Sequence, residues 1–101
     1  MYIVNTTFVV APEAQQMWLD ILKNKYVPFL RERGYTSLVF SRIISEGAVD
    51  EFTYSLQAEA EDIPAYRTLT GEIFEEYRRI ADPIFGDKVL WFTSLMKKME
   101  L

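Results

Sequence analysis

Hydrophobic and polar residues alternate most regularly near the middle of the chain. Between Glu51 and Glu61, in the segment EFTYSLQAEAE, every second residue is apolar. Successive side chains of a strand point to opposite faces, so this segment predicts a strand with one apolar and one polar face. A shift of one residue would turn the whole apolar set towards water, so the register of this strand is firmly set.

Three further segments are rich in β-branched and aromatic residues, and they predict strands without a clearly polar face. They are residues 2–11 (YIVNTTFVVA), Tyr35–Ser45, and Val89 to about Met99. A loop around Gly47, over residues 46–50, is predicted to connect the second and third strands. A turn at Phe85–Lys88 is predicted to lead into the last strand.

Apolar residues recur at helical spacing from Trp18 to Leu30 and predict a helix with one buried face. The helix is expected over about residues 13–25. Pro28 lacks an amide hydrogen and its ring clashes with the preceding turn, so it should kink or break the helix one turn upstream. A second short helical turn should then end at Gly34, the predicted C-terminal cap.

A second amphipathic pattern extends from Tyr66 to Ile84 and predicts another helix with one buried face. Asp62 is the predicted N-cap, because its short carboxylate can accept a hydrogen bond from an amide of the first turn. Pro83 should end or bend this helix near Ala81.

The predicted order of elements is therefore β-α-β-β-α-β, in a single domain that covers residues 1–101. Two helices on one face of an antiparallel sheet, in this order, give an α+β protein with the ferredoxin-like fold. Right-handed crossovers place the first and third strands in the centre of the sheet.

The two helices cover only one face of such a sheet, yet three strands are apolar on both sides. In the last strand, Leu90 and Phe92 fall on one side and Trp91 and Leu95 on the other. A large apolar sheet face left in water promotes association. We therefore predict a homodimer in which two helix-free sheet faces pack together about a two-fold axis. The alternative is that the strands twist and the C-terminal residues fold over the sheet.

Composition narrows the classes of function. The 101 residues carry a formal net charge of −4, which argues against nucleic acid or an anionic membrane as partner. The chain has no cysteine and no histidine, so the usual zinc ligands and the commonest general base are missing. We expect no metal site and no cofactor.

The start of the chain lacks signal-peptide features and no apolar run could span a membrane, so a cytoplasmic protein is expected.

Three segments together resemble a known family. They are YIVNTTFVV, the segment Lys25-Tyr26-Val27-Pro28 that follows Trp18, and the closing FGDKVLWFTSLM. They resemble a family of short bacterial proteins known only as a domain of unknown function, which is similar to the dimeric α/β-barrel superfamily. That superfamily includes cofactor-free monooxygenases and small stress-response proteins. The resemblance covers nearly the whole chain and implies a ferredoxin-like fold and a homodimer, but no reaction, because one fold hosts many functions.

One position departs from the pattern of this family. Relatives often carry His-Ile-Pro where this chain has Tyr26-Val27-Pro28. A tyrosine can donate a hydrogen bond, but it is a poor base near neutral pH. The departure therefore argues against a catalytic role at this position.

A pocket with aromatic walls and a few polar groups is what a small apolar ligand needs. The strands and the proline-containing helix supply residues of both types. The predicted pocket residues are Asn5, Thr7, Trp18, Tyr26, Phe29, Arg42, Trp91 and Thr93. The alternative is that the aromatic residues belong to the core or to the dimer interface and that Arg42 pairs with a surface acid.

The sequence is compatible with three functions. The first is a homodimeric protein that binds a small hydrophobic ligand between helices and sheet. The second is a cofactor-independent monooxygenase-like or isomerase-like enzyme, which also needs a polar group of shifted pKa in that cavity. The third is a protein–protein interaction module, which needs an apolar surface left exposed after dimerisation. The sequence assigns no catalytic residue.

Overall fold

A computed structural model describes residues 1–44 and 52–101 of the chain. Four antiparallel strands form one sheet in the order β2-β3-β1-β4. The strands are β1 (Tyr2–Val10), β2 (Val39–Ile43), β3 (Phe52–Ala60) and β4 (Val89–Lys97). The predicted ferredoxin-like order, with the first and third strands in the centre, is confirmed.

Two helical runs connect the strands, and each is interrupted by one wider, π-helical turn. The first run consists of a 3₁₀ turn at Pro12–Ala14, α1 (Gln15–Ile21), a π turn at Leu22–Tyr26 and α2 (Val27–Glu32). The second consists of α3 (Ile63–Thr68), a π turn at Leu69–Ile73 and α4 (Phe74–Phe85), followed by a 3₁₀ turn at Gly86–Lys88. None of the helices in the described residues is long and apolar enough to cross a membrane.

The spacing of the buried residues favours a π turn in each run, although positions 77, 81 and 85 stay buried along the regular helix α4. Every fourth residue is buried along each run, in the series 14, 18, 22, 26, 30 and 69, 73, 77, 81, 85. In a regular α-helix each step of four residues rotates the side chain by about 40° beyond a full turn, so the series drifts away from the core face. A π turn accommodates one extra residue and brings the series back to the sheet.

The first π turn lies one turn upstream of Pro28, where the sequence predicts a kink or break, but the helix widens there instead of ending. The amide of Val27 donates to the carbonyl of Leu22, five residues earlier, so the helix widens just before the proline. The helix then continues to Glu32. Because the preceding carbonyls are displaced from their α-helical positions, the proline ring fits without ending the helix.

The predicted end of the second helix near Ala81 is wrong, because α4 passes Pro83 and ends at Phe85. Pro83 lies in the last turn and is exposed. The proline removes one helical hydrogen bond, and water can bond the carbonyl that has lost its donor.

Both predicted caps are confirmed. Gly34 has a φ of +94°, its amide donates to the carbonyl of Arg31 (3.1 Å), and the amide of Tyr35 donates to Leu30 (3.0 Å). This pair of bonds is the Schellman motif, which needs a left-handed residue. At the second helical run, the Asp62 carboxylate accepts a hydrogen bond of 2.8 Å from the amide of Ala65.

The second strand begins four residues later than predicted. Tyr35 belongs to the helix cap, and the chain pairs with β3 only from Val39 onwards. The strand is therefore shorter and lies at the edge of the sheet. The predicted ends at Ser45 and Glu51, and the predicted loop over residues 46–50, lie outside the described residues.

The core lies between the sheet and the two helical runs. Phe8 of β1 is fully buried at its centre, with ring centroids 5.1 Å from Trp18 and 5.2 Å from Tyr77. β3 follows its predicted pattern, with Tyr54, Leu56 and Ala58 buried on the helix side. The opposite side of the sheet carries no helix from the described part of the chain.

Candidate functional site

The sheet separates the predicted pocket residues into two groups. Thr93 and Trp91 of β4 pair with Thr6 and Phe8, so they face the helices. Thr7 pairs with Phe92, and it lies with Asn5 on the helix-free face. Trp18, Tyr26 and Phe29 belong to the first helical run, and Arg42 lies on the helix side of β2. The eight residues therefore do not surround one common pocket.

A small cavity of about 20 Å³ lies between the helices and the sheet. Tyr26 and Thr93, two of the predicted pocket residues, line it. Two unpredicted threonines, Thr6 of β1 and Thr70 of the second helical run, line it as well. The remaining lining is apolar and includes Leu30 and Phe74.

Both π turns reach this cavity. Tyr26 ends the first π turn, and Leu69 and Thr70 begin the second. π turns inside helices occur frequently at functional sites. The sequence carries a sign of them, because a spacing of four residues between buried positions drifts by about 40° per step on a regular α-helix. Thr6 could also be predicted from the sequence, because it lies on the same face of β1 as Val4 and Phe8.

Tyr26 is the polar side chain that the first helical run contributes to the cavity. It is buried, and within the described residues its hydroxyl makes no hydrogen bond to another side chain. Burial raises the pKa of Tyr26 well above the ordinary value of tyrosine, and the nearby Tyr35 and Tyr77 raise it further. The hydroxyl therefore stays protonated near neutral pH and can donate a hydrogen bond into the cavity, but it cannot act as a base.

The cavity lining contains hydroxyl groups and no Asp, Glu, Lys or Arg from the described residues. A hydroxyl can orient a polar group of a ligand through a hydrogen bond. General acid–base catalysis near neutral pH needs a group whose pKa lies near the working pH. The lining therefore suits binding better than proton transfer.

Trp18 lies in the core rather than in the cavity wall. Its side chain is fully buried, and its indole Nε1 donates a hydrogen bond of 2.9 Å to the hydroxyl of Tyr77. Burial raises the pKa of Tyr77 to about 12, although this hydrogen bond acts in the opposite direction. The pair therefore joins the two helical runs through neutral groups.

The other predicted aromatic and basic residues lie outside the cavity. The guanidinium of Arg33 lies 4.8 Å from the ring centroid of Phe29, and that of Arg42 lies 4.5 Å from Phe52. Trp91 contacts Phe74 at a centroid distance of 4.6 Å and is 37% exposed. These contacts are typical of core and surface packing.

Asn5 and Thr7 form a polar cluster with Ser55 on the helix-free face. The Asn5 amide donates to the Thr7 hydroxyl (3.1 Å), and the Ser55 hydroxyl donates to the Asn5 carbonyl oxygen. Thr7 and Ser55 are buried. These two bonds pair part of the polar groups of the cluster, which lowers the cost of covering it with an apolar surface.

Large apolar side chains surround this polar cluster. Leu90, Phe92 and Met96 of β4 and Val39 and Ile43 of β2 are all exposed, Phe92 by 57%. Glu59 is the one charged residue that the described strands place on this face, and it lies 3.6 Å from Lys98 in an ion pair. The helix-free face is therefore almost uncharged, with a polar centre on β1 and β3 and large apolar side chains on the flanking strands β2 and β4.

A second, open groove of about 270 Å³ lies at the end of β3. Residues 35–37 and 59–61 line it together with Met1, and none of the eight predicted pocket residues does.

Residues 1–44 and 52–101 contain no group of three or more His, Cys, Asp or Glu side chains that could hold a metal ion.

The fold and the cavity define a ferredoxin-like α+β protein with a small site between helices and sheet. The family model described as "Domain of unknown function (DUF4286)" matches residues 1–99. The chain therefore belongs to this family, and the predicted resemblance is confirmed. No curated protein matches the sequence.

Several solved structures share the fold. An ethyl tert-butyl ether d (ethd) family protein from Bacillus halodurans has a TM-score of 0.68 at 15% identity, with 98% of this chain and 100% of that chain covered. A dimeric ferredoxin-like protein from an uncultured marine organism has a TM-score of 0.69 at 14% identity, with 99% and 98% covered.

A third similar structure contains a ligand. It is a monooxygenase from the gene ActVA-Orf6 of Streptomyces coelicolor in complex with nanaomycin D, with a TM-score of 0.67 at 18% identity. The match covers 99% of this chain and 88% of the monooxygenase. At these identities the likeness establishes the fold, which agrees with the predicted fold class.

Proposed function

We propose that the protein is a homodimer that binds a small, mainly apolar molecule between the helices and the sheet. The observation that carries this proposal is the meeting of both π turns at one cavity, where three threonines and Tyr26 offer hydroxyl groups among apolar side chains. Apolar walls with a few polar groups are typical of sites for small ligands.

The size of the cavity defines what binding requires. A volume of 20 Å³ holds about one water molecule, so a ligand with a ring must displace lining side chains. Movement of Tyr26 would enlarge the cavity, at the cost of its ring contacts with Phe74 and Tyr77. The ActVA-Orf6 monooxygenase, whose structure contains nanaomycin D, supports the capacity of this fold to hold a ligand.

The geometry favours binding over catalysis. Among the described residues the lining has no Asp, Glu, Lys or Arg, and the pKa of Tyr26 is raised rather than lowered. The alternative function, a cofactor-independent enzyme, would need an acid or base with a pKa near the working pH, either in the lining or in its substrate.

Binding can be tested with phenol as a probe, because phenol combines an apolar ring with one hydroxyl. We expect phenol to shift the methyl NMR signals of Thr6, Thr70 and Thr93 saturably. Ala58→Val, which fills the cavity, should abolish the shifts, whereas Ala14→Val, in the core outside the cavity, should preserve them. Unchanged threonine signals in the wild type, or equal binding by both variants, would contradict the proposal.

The proposed dimer forms through the helix-free sheet face. Two copies of net charge −4 repel each other, and contact through this nearly uncharged face keeps like charges apart. Burial of its exposed apolar side chains stabilises the dimer by about 25 cal/mol of free energy for each Å² of apolar surface removed from water. The similar protein from the marine organism is described as dimeric, which supports a dimer of this fold.

Phe92→Asp tests this contact, with Met17→Asp on α1 as the matched control, because the two side chains are 57% and 58% exposed. In dilute solution, light scattering should give the mass of a monomer for Phe92→Asp and of a dimer for Met17→Asp. A folded Phe92→Asp dimer would disprove the contact through this face.

A further inference from the structure

β4 lies at an edge of the sheet and is apolar on both of its faces. Leu90, Phe92 and Met96 point to the helix-free side, while Trp91 and Leu95 point to the helix side. Trp91 is 37% and Leu95 38% exposed, because the helices do not fully cover this edge. Packing of two helix-free faces leaves Trp91 and Leu95 in water.

The outer edge of β4 also lacks the features that protect edge strands. Within the described residues β4 pairs with β1 alone, so its other side presents free backbone groups. The strand is nine residues long, contains no proline, and is uncharged from Val89 to Met96. The opposite edge, β2, is five residues long and carries Arg42. Short length and charge discourage strand pairing, so the two edges differ in their capacity to associate.

We propose that the β4 edges of two copies pair antiparallel and join their sheets into one eight-stranded sheet. The occupant of the edge is thus a second copy of this chain. The absence of charge from Val89 to Met96 means that two such edges can meet without repulsion despite the net charge of −4. This contact goes beyond the proposed face-to-face dimer and uses a different surface.

The sequence of β4 sets the register. An antiparallel pair of identical strands uses all nine residues only when the two-fold axis passes through the central residue, Thr93. Trp91 then lies opposite Leu95 of the other copy, and Leu90 lies opposite Met96 on the other face. Four of the exposed apolar side chains thus meet apolar partners, which stabilises cross-strand pairs, while Phe92 lies opposite Ser94.

We expect the edge contact to form between dimers, at higher protein concentration than the face-to-face contact. It also adds a strand beside Thr93, which lines the cavity. The resulting species is a tetramer with two kinds of contact, one between faces and one between edges.

Engineered cysteines can test the register directly, because the natural chain has none. Two residues on the axis have Cα atoms about 4.5–5.5 Å apart, within the range of a disulfide. Residues two positions from the axis are separated from their own copies by about 13 Å. We therefore expect Thr93→Cys to form a disulfide dimer under mild oxidation and Leu95→Cys to remain reduced. Both side chains face the helices, so face-to-face packing cannot bridge them.

Absence of the Thr93→Cys dimer, or equal cross-linking of both variants, would overturn the edge contact and leave the face-to-face dimer untouched. Hydrogen exchange of the wild type gives a second test that needs no variant. Amides of β4 that do not bond to β1 should become at least tenfold better protected at concentrations that form the tetramer than in dilute solution. Equal protection at all concentrations would also overturn the proposal.

Discussion

The indole Nε1 of Trp18 donates a hydrogen bond of 2.9 Å to the hydroxyl of Tyr77, and this bond joins the two helical runs inside the core. Trp18 is fully buried and Tyr77 nearly so. Both residues also contact the ring of Phe8. A buried indole N–H needs an acceptor, and Tyr77 supplies it from the helix on the other side of the core.

Replacement of Tyr77 by phenylalanine removes this acceptor while it retains the ring. We expect Tyr77→Phe to lower the free energy of unfolding by about 1–3 kcal/mol, because the indole N–H of Trp18 stays buried without a partner. Urea denaturation measures the change. Tyr66→Phe, on a half-buried tyrosine, is the control and should change stability by less than about 0.5 kcal/mol. Equal stability of the two variants would show that the hydrogen bond contributes nothing.

The buried tyrosines also predict loss of stability at alkaline pH. Burial raises the folded-state pKa of Tyr77 to about 12 and shifts that of Tyr26 in the same direction. In the unfolded chain tyrosine titrates near pH ~10. The folded state therefore holds more protons above that pH, and its stability falls as pH rises.

The stabilisation from these two phenols is fully present below pH ~10 and is lost as pH rises through the folded pKa values. We expect the melting temperature to fall more steeply above pH ~10 in the wild type than in the Tyr26→Phe/Tyr77→Phe double variant. Melting followed by circular dichroism over this range provides the measurement, with Tyr66→Phe as the control. Parallel slopes for the wild type and the double variant would rule out these two groups as the cause.

Much of the fold could be predicted from local patterns. The alternation of β3 gave the correct faces, and Gly34 and Asp62 gave the correct helix ends, because caps depend on backbone geometry within a few residues. Pro28 correctly marked a distortion one turn upstream, but the form of the distortion, a π turn, was not predicted. Pro83 did not end α4, because the carbonyl that loses its donor can reach water.

The site was less predictable than the fold. Asn5 and Thr7 belong to the face opposite Tyr26 and Thr93, and only the pairing of β1 with β4 decides which strand positions share a side. The π turns could not be predicted from the sequence, because a spacing of four residues between buried positions differs little from the 3.6-residue period of an α-helix over a short window. Thr70 enters the cavity through such a turn, so its role depended on a feature that the helical pattern alone did not reveal.

Two glycines should respond to alanine in opposite directions. Gly86 follows α4 with φ +54° and ψ −128°, a conformation that side chains with a Cβ rarely adopt, so strain is expected although no neighbouring atom lies within 4 Å of the added Cβ. Gly71 lies in the second π turn without a positive φ and with equal space. Alanine there should stabilise the protein, because it restricts the unfolded chain and favours the helix.

We expect Gly86→Ala to lower the free energy of unfolding by about 1–3 kcal/mol and Gly71→Ala to raise it by about 0.4–1 kcal/mol. Urea denaturation of both variants beside the wild type checks the two signs in one experiment. If Gly71→Ala is destabilising, then the π turn requires the flexibility of glycine, and the widened turn at the cavity is under strain. If Gly86→Ala is neutral, the chain can leave α4 in another conformation and the positive φ does not constrain the entry to β4.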